Sequence, residues 1–218
     1  MSVGRPHDFP MSNEFYHGEE HLEARPEPEP GKAWWPRPLV CLPRTQVPTL
    51  SRRADDYLYA RRLSAALAAQ NGWYSFLDDA DTERICIPCY GEFWPYWQGR
   101  DITGKAKPYI CPPWKRGRSL CQVSNGKSLV AIVEGPMDAL AAAGTDLDLT
   151  AIALLGLRPP KEALEWLAKL ALPYPKRILC LDRDPEALKR GPELASLLAE
   201  HGLAIRLKYP PSPYKDLA

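Results

Sequence analysis

The chain has 218 residues, 45% of them hydrophobic, so it can bury a core of normal size as one domain with extensions or as two small domains. The net charge of +1 gives no information about binding partners. No stretch has the roughly 20 apolar residues of a membrane-spanning helix. The first 20 residues lack the apolar core of a secretory signal, and the six cysteines form no paired framework, which together favour a reducing, cytoplasmic setting.

The first predicted region, residues 1–48, is a tail with nine prolines and a glutamate-rich stretch. Such a composition buries little apolar surface, so we expect it to be largely irregular. Trp34 and Trp35 are exceptions, and they leave open a role in docking on the body or in binding a partner.

The second predicted region, residues 49–126, is a small α+β subdomain. Its helical pattern over 51–70 starts at Ser51, is divided near Ser64 into two short helices and ends at 71–72. Strand patterns follow over 73–110, with a hairpin formed by 84–89 and 93–100.

A basic segment lies at the end of this subdomain. Between residues 100 and 127 there are seven Lys or Arg residues and one acidic residue, with Tyr109 and Trp114 among them. Basic side chains interleaved with aromatic rings are typical of grooves that hold single-stranded nucleic acid. A solvated loop is the alternative.

The third predicted region, residues 127–218, alternates strand and helix patterns. This order favours an α/β fold with a parallel sheet and flanking helices. The predicted strands are 128–133, 149–154, 177–181 and 203–208, and the predicted helices are 136–143, 160–170, one that ends near Gly191, and 192–201.

Two of these strands end at carboxylates. Glu134 follows the first strand, and Asp182 and Asp184 follow the third. Since the carboxyl ends of parallel strands meet at one edge of a sheet, we expect the three side chains to converge there. Three carboxylates together favour a cation, and oxygen ligands suit Mg²⁺. Asp138 lies four residues after Glu134 and belongs either to the same site or only to the start of the following helix, where an acidic side chain is favourable.

The two acidic motifs carry a family resemblance. The sequences VEGPMDAL at 133–140 and LDRD at 181–184 closely resemble the Toprim family, whose members include primases, topoisomerases, recombination mediators and nucleases. Upstream, YLYARRLS at 57–64, RICIP at 84–88, YWQGRDI at 96–102 and KPY at 107–109 resemble the catalytic core of bacterial and phage-type DNA primases.

The resemblance implies a primase-type enzyme, a DNA-directed nucleotidyltransferase that makes short RNA primers on single-stranded DNA in phage or plasmid replication. It implies catalytic and metal-binding roles for Glu134, Asp182 and Asp184, with Mg²⁺ or Mn²⁺ as the cofactor. The nucleic-acid and nucleotide contacts that we expect are Arg100, Lys107, Lys115, Arg116, Arg118, Asp138, Lys215 and Asp216.

The expected partners are a single-stranded DNA template and nucleoside triphosphates, and no membrane. A replicative helicase or a zinc-bearing partner chain is a further candidate, because the zinc module of full primases is not found in this sequence. Zinc is not expected at Cys86 and Cys89, although their spacing is that of a zinc motif.

The sequence departs from the family at Glu186, where a small residue is usual. Two alternatives to the enzyme stay open: a Toprim module that binds nucleic acid within a replication complex without synthesis, and a Toprim nuclease.

Overall fold

The computed structural model describes residues 48–91, 96–112, 117–145 and 148–210. All of them belong to one compact unit of the chain, Trp34–Ala218. The predicted tail therefore lies outside the described residues, apart from Pro48. Within these ranges, no helix has the length and apolar character needed to cross a membrane.

Two short helices open the described part, as predicted. Helix α1 spans Arg52–Ala60 and α2 spans Ala65–Gln70. Ser51 and Ser64 are their N-caps, and each hydroxyl accepts a hydrogen bond of 3.1 Å from the backbone N–H three residues later. The two caps explain why the helical pattern divides at Ser64.

The first sheet is antiparallel and has four strands in the order β1-β2-β3-β4. The predicted hairpin is confirmed, since β2 and β3 pair from Arg84 opposite Asp101 to Cys89 opposite Tyr96. The strands are β1 (Tyr74–Leu77), β2 (Glu83–Cys89), β3 (Tyr96–Asp101) and β4 (Tyr109–Ile110).

The second sheet has five strands in the order β5-β7-β6-β8-β9. The strands β6 to β9 pair in parallel, as the sequence predicts, and β5 adds an antiparallel edge. The elements are β5 (Cys121–Ser124), β6 (Leu129–Val133), α3 (Pro136–Ala143), β7 (Leu149–Ala153), α4 (Lys161–Ala171), β8 (Lys176–Cys180), α5 (Pro185–Glu200) and β9 (Arg206–Lys208).

Strand β6 is central in this sheet and is covered on both faces. Val130 and Ile132 pack into one hydrophobic cluster, while Ala131 and Val133 pack into another. A strand that is buried on both faces has apolar residues at every position, which explains the continuous hydrophobic sequence of β6. The residues that follow it are thereby fixed at the edge of a rigid core.

The prediction of two helices around Gly191 is wrong, because α5 is one continuous helix with Pro192 inside it. Proline removes one backbone hydrogen bond, to the carbonyl of Leu188. Both Leu188 and Pro192 lie on the exposed face of α5, where water can bond that carbonyl. The predicted last strand is also shorter, since β9 begins only at Arg206.

Strand β5 is an element that the sequence prediction lacks. It lies in the basic segment and pairs with β7, so this segment is not a solvated loop throughout. A single antiparallel pair, Tyr90 opposite Leu120, also connects the end of β2 to the residue before β5. The predicted division between residues 126 and 127 stays a prediction.

Candidate active site

The carboxyl ends of β6 and β8 bring the predicted carboxylates to one edge of the second sheet. The two strands are parallel neighbours, with Ile132 opposite Leu179. Glu134 therefore follows β6 at about the level at which Asp182 follows β8. The backbone of Glu134 is fixed as well, because its carbonyl accepts a hydrogen bond of 3.2 Å from the N–H of Gly156.

The side chain of Glu134 shows the effect of its neighbours. Its pKa is raised from 4.5 to about 7, first by burial and then by the negative charges of Asp182, Asp184 and Asp138 and, last, Glu186. Its Oε2 atom is buried and has no hydrogen-bond partner among the described residues. A carboxyl group in such surroundings favours a proton or a cation.

The raised pKa predicts a pH-dependent stability. The folded metal-free protein holds the proton of Glu134 more tightly than the unfolded chain does. The resulting stabilisation is complete below pH 4.5 and is lost as the pH rises through 7. Glu134→Gln stays neutral, and we expect its melting temperature in EDTA to exceed that of the wild type at pH 8 but not at pH 4.5. Because Glu134 is only half-buried, solvent screening limits the gain to about 1 kcal/mol, or about 2–4 °C.

The control for this measurement is Glu200→Gln at the far end of α5, which removes the same charge from an exposed position. Thermal unfolding of the three proteins at both pH values decides the prediction. An equal difference between Glu134→Gln and wild type at pH 4.5 and pH 8 would contradict it.

Asp184 and Asp138 also start helices. The Oδ1 atom of Asp184 accepts a hydrogen bond of 2.8 Å from the N–H of Ala187, so Asp184 is the N-cap of α5. The Oδ2 atom of Asp138 accepts one of 3.0 Å from the N–H of Gly135 at the start of α3. The alternative role of Asp138 as a helix-start acid is thus present in the structure, and its nucleotide-binding role stays a prediction.

The donor set at this edge fits Mg²⁺ in its chemistry. It consists of carboxylate oxygens, and one of them, Oε2 of Glu134, is buried without a hydrogen-bond partner in the part of the chain that the structure describes. In the described part of the chain, however, no three Asp, Glu, His or Cys side chains lie close enough together to enclose a metal ion. A metal ion at this edge would therefore require Asp182 and Asp184 to move closer to Glu134.

The basic residues predicted to contact nucleic acid are placed on different elements. Lys107 lies in the turn between β3 and β4 with its side chain exposed, and Arg118, which is partly buried, precedes β5. Lys115, Arg116, Lys215 and Asp216 lie outside the described residues. Their predicted roles stay predictions.

Arg100 differs from an ordinary surface cation, because two tyrosines hold it. Its Nε donates a hydrogen bond of 2.9 Å to the hydroxyl of Tyr57 in α1. Its guanidinium carbon lies 4.8 Å from the ring centre of Tyr109 in β4 and 6.0 Å from that of Tyr57. The sequence analysis gives Tyr57 no role beyond its place in the helical motif at 57–64, so its contact with Arg100 is new information.

Arg158 is a second residue that the sequence analysis misses. It lies in the loop after β7, and its Nη2 is 3.4 Å from Oε1 of Glu186 in the first turn of α5. Both side chains are exposed, so the pair adds little stability. Its position in the sequence could have identified it as a candidate site residue, since loops at the carboxyl ends of parallel strands border ligand sites.

Cys86 and Cys89 lie three residues apart on β2 and so point to opposite faces of the sheet. Cys86 packs with Tyr74 and Phe76, whereas Cys89 belongs to the core shared with Cys121. Burial raises the pKa of the Cys86 thiol to about 12. Their spacing in sequence therefore does not make them a chelating pair.

Comparison with known proteins identifies the second sheet and its helices. Residues 131–218 match the family model described as Toprim-like. The carboxyl-terminal part of this chain is a Toprim-like domain. The carboxylate edge formed by Glu134, Asp182 and Asp184 belongs to it. No curated protein matches the chain significantly.

Several solved structures with similar folds come from primases. One is a chain in a structure of bacteriophage T7 lagging-strand DNA polymerase, which interacts there with primase domains bound to an RNA/DNA hybrid and dTTP. That chain is 17% identical to this one, with a TM-score of 0.56, and the match covers 78% of this chain and 82% of that chain. The DnaG primase catalytic domain bound to single-stranded DNA is 16% identical, with a TM-score of 0.57, over 75% and 65%.

A third similar structure is that of the Aquifex aeolicus primase, comprising its zinc-binding and RNA polymerase domains. It is 18% identical, with a TM-score of 0.60, over 76% of this chain and 51% of that chain. This chain thus spans about half the length of that Aquifex chain. The predicted fold, a Toprim α/β domain preceded by an α+β part, is confirmed, and it is shared with primase catalytic cores.

Proposed function

We propose that the chain is a primase-type catalytic core that joins ribonucleotides into short primers on single-stranded DNA. The observation that carries the proposal is that Glu134, Asp182 and Asp184 follow the ends of adjacent parallel strands, with the pKa of Glu134 raised to about 7. The fold shared with primase cores supports it. We also propose that residues 49–126 act as the template-holding part and residues 127–218 as the Toprim-like domain.

The residues divide the chemistry between them. Glu134, at the end of β6, accepts the proton of the attacking 3′-hydroxyl as a general base or serves as a further ligand of the metal ion. Asp182 and Asp184 would hold Mg²⁺, which when bound activates the attacking oxygen and stabilises the leaving pyrophosphate. Arg100 and Lys107 bind phosphates of the template or the nucleotide.

Partners follow from the same proposal. The related structures contain single-stranded DNA in one case and an RNA/DNA hybrid with dTTP in another, and we propose a DNA template and nucleoside triphosphates for this chain. A zinc-bearing chain or a replicative helicase would supply template recognition.

The test is incubation of the full chain with single-stranded DNA, labelled ribonucleotides and Mg²⁺ or Mn²⁺. Short labelled oligonucleotides that disappear with EDTA are the expected result. Salt-sensitive DNA binding without product, even with a zinc-bearing primase chain added, would instead favour a binding module. Metal-dependent loss of end-labelled DNA in the absence of nucleotides would favour a nuclease.

A further inference from the structure

Arg100 is held from three elements. Its own strand, β3, sets the backbone, Tyr57 on α1 accepts the Nε–H at 2.9 Å, and the ring of Tyr109 on β4 lies 4.8 Å from the guanidinium. Arg61 lies 5.4 Å from the centre of the Tyr57 ring, so two guanidinium groups lie near that ring. We call Tyr57, Arg100 and Tyr109 the arginine clasp.

The clasp orients the guanidinium without neutralising it. In the described part of the chain, the ion pairs do not include Arg100, and its partners are aromatic. Burial by itself would lower the pKa of Arg100, but Tyr109 and Tyr57 raise it overall, so the cation is kept. An arginine whose Nε is fixed in this way is preorganised to receive an anion, and less entropy is lost when it binds.

The clasp also packs against the core beside the carboxylate edge. Tyr57 and Tyr109 are partly buried and contact the hydrophobic cluster that contains Val133, at the end of β6, and Met137 of α3. Asp138 lies at the start of α3, four residues from Glu134. The clasp therefore connects the first sheet to the site in the Toprim-like domain.

We propose that Tyr57 is a positioning residue for phosphate binding. Its hydroxyl fixes the Arg100 guanidinium against Tyr109, so that Arg100 binds a phosphate beside the carboxylate edge. The ligand chemistry is a phosphate group of either the DNA strand or a nucleoside triphosphate. The ligand class depends on the proposed function, whereas the dependence of Arg100 on Tyr57 does not.

The test is a double-mutant cycle read by binding. Tyr57→Phe removes only the hydroxyl, and Tyr59→Phe is the matched control, since Tyr59 is on the same helix and is 84% exposed. Two probes separate the sources of the phosphate: a single-stranded oligothymidylate without nucleotide, and ATP with Mn²⁺ without DNA. Dissociation constants are measured for wild type, Tyr57→Phe, Arg100→Ala and the double variant, and thermal melts verify that each is folded.

We expect Tyr57→Phe to weaken binding of one probe about 5-fold, the loss of one hydrogen bond that orients a charged group. In the Arg100→Ala background the same change has less than about a 2-fold effect, because the group that it positions is gone. For the DNA probe, Arg100→Ala also reduces the salt slope of binding by about 1, which a general loss of stability does not do. Tyr59→Phe changes neither constant.

An equal loss from Tyr57→Phe with and without Arg100, or no loss with either probe, overturns the positioning role. Arg100→Lys keeps the charge without the Nε donor and replaces Arg100→Ala in the cycle if the latter does not fold. Coupling between Tyr57 and Arg100 in a chain that makes no primers would retain the clasp and reject the proposed synthesis, so the two failures are distinguishable.

Discussion

Replacement of Asp182 by asparagine is expected to reduce primer synthesis at least about 100-fold. Residues that only support metal ligands typically change metal affinity or activity 10–100-fold when replaced, and the account makes Asp182 a direct ligand. Asparagine keeps the shape of the side chain but removes the charge that adds to the raised pKa of Glu134. The measurement is incorporation of labelled ribonucleotides on single-stranded DNA at saturating template.

The matched control is Glu162→Gln, which removes one exposed carboxylate from the first turn of α4 in the same domain. It should keep the wild-type rate. The melting temperature of Asp182→Asn in EDTA should be at least that of the wild type, because the substitution relieves repulsion at the carboxylate edge. A rate within 2-fold of wild type for Asp182→Asn would remove Asp182 from the chemistry.

Replacement of Asp78 by alanine is expected to destabilise the protein by about 3–5 kcal/mol, the usual result of breaking a buried ion pair from one side. Arg84 is only 2% exposed, and its Nε lies 2.6 Å from Oδ2 of Asp78. Its Nη1 also donates to the carbonyl oxygens of Lys107 at 2.8 Å and Gly99 at 3.3 Å. Without Asp78 the buried cation would lose its directly bonded carboxylate and keep only the charge of Asp101, which lies opposite it on β3.

Asp79→Ala is the matched control, since Asp79 is the exposed neighbour. Urea unfolding at pH 7 gives both free energies. Burial would raise the pKa of Asp78, but its hydrogen bonds from Arg84, Thr82 and Ala80 hold the pKa below 3.8. The contribution of the Asp78 charge is therefore complete at pH 7 and is lost as the pH falls through that lowered value, where the difference between Asp78→Ala and wild type should narrow. Equal stability of the Asp78→Ala and Asp79→Ala proteins at pH 7 would show that Arg84 does not need this partner.

The carboxylate edge could be predicted from sequence because its signals are local. A short apolar run that ends at Glu134, and another that ends at Asp182, indicate buried parallel strands, and the rule for such sheets brings their ends together. The caps Ser51 and Ser64 are equally local. Each of these features needs only a few consecutive residues.

The features that were missed depend on contacts between distant residues. Tyr57 and Arg100 are 43 positions apart, and nothing near either one indicates their hydrogen bond. Strand β5 is recognisable only through its pairing with β7, for example Cys121 opposite Ala153. Pro192 predicts a helix end from local sequence, but the exposed face of α5 tolerates it.

The most direct test of the account is binding of Mn²⁺ to the full chain without DNA or nucleotide, measured by electron paramagnetic resonance at pH 8. The account predicts a site in the wild type and in Glu162→Gln that is weakened at least about 10-fold in Asp182→Asn, in line with the loss of a ligand. Equal Mn²⁺ affinity in the wild type and Asp182→Asn would contradict a metal centre at the carboxyl ends of β6 and β8.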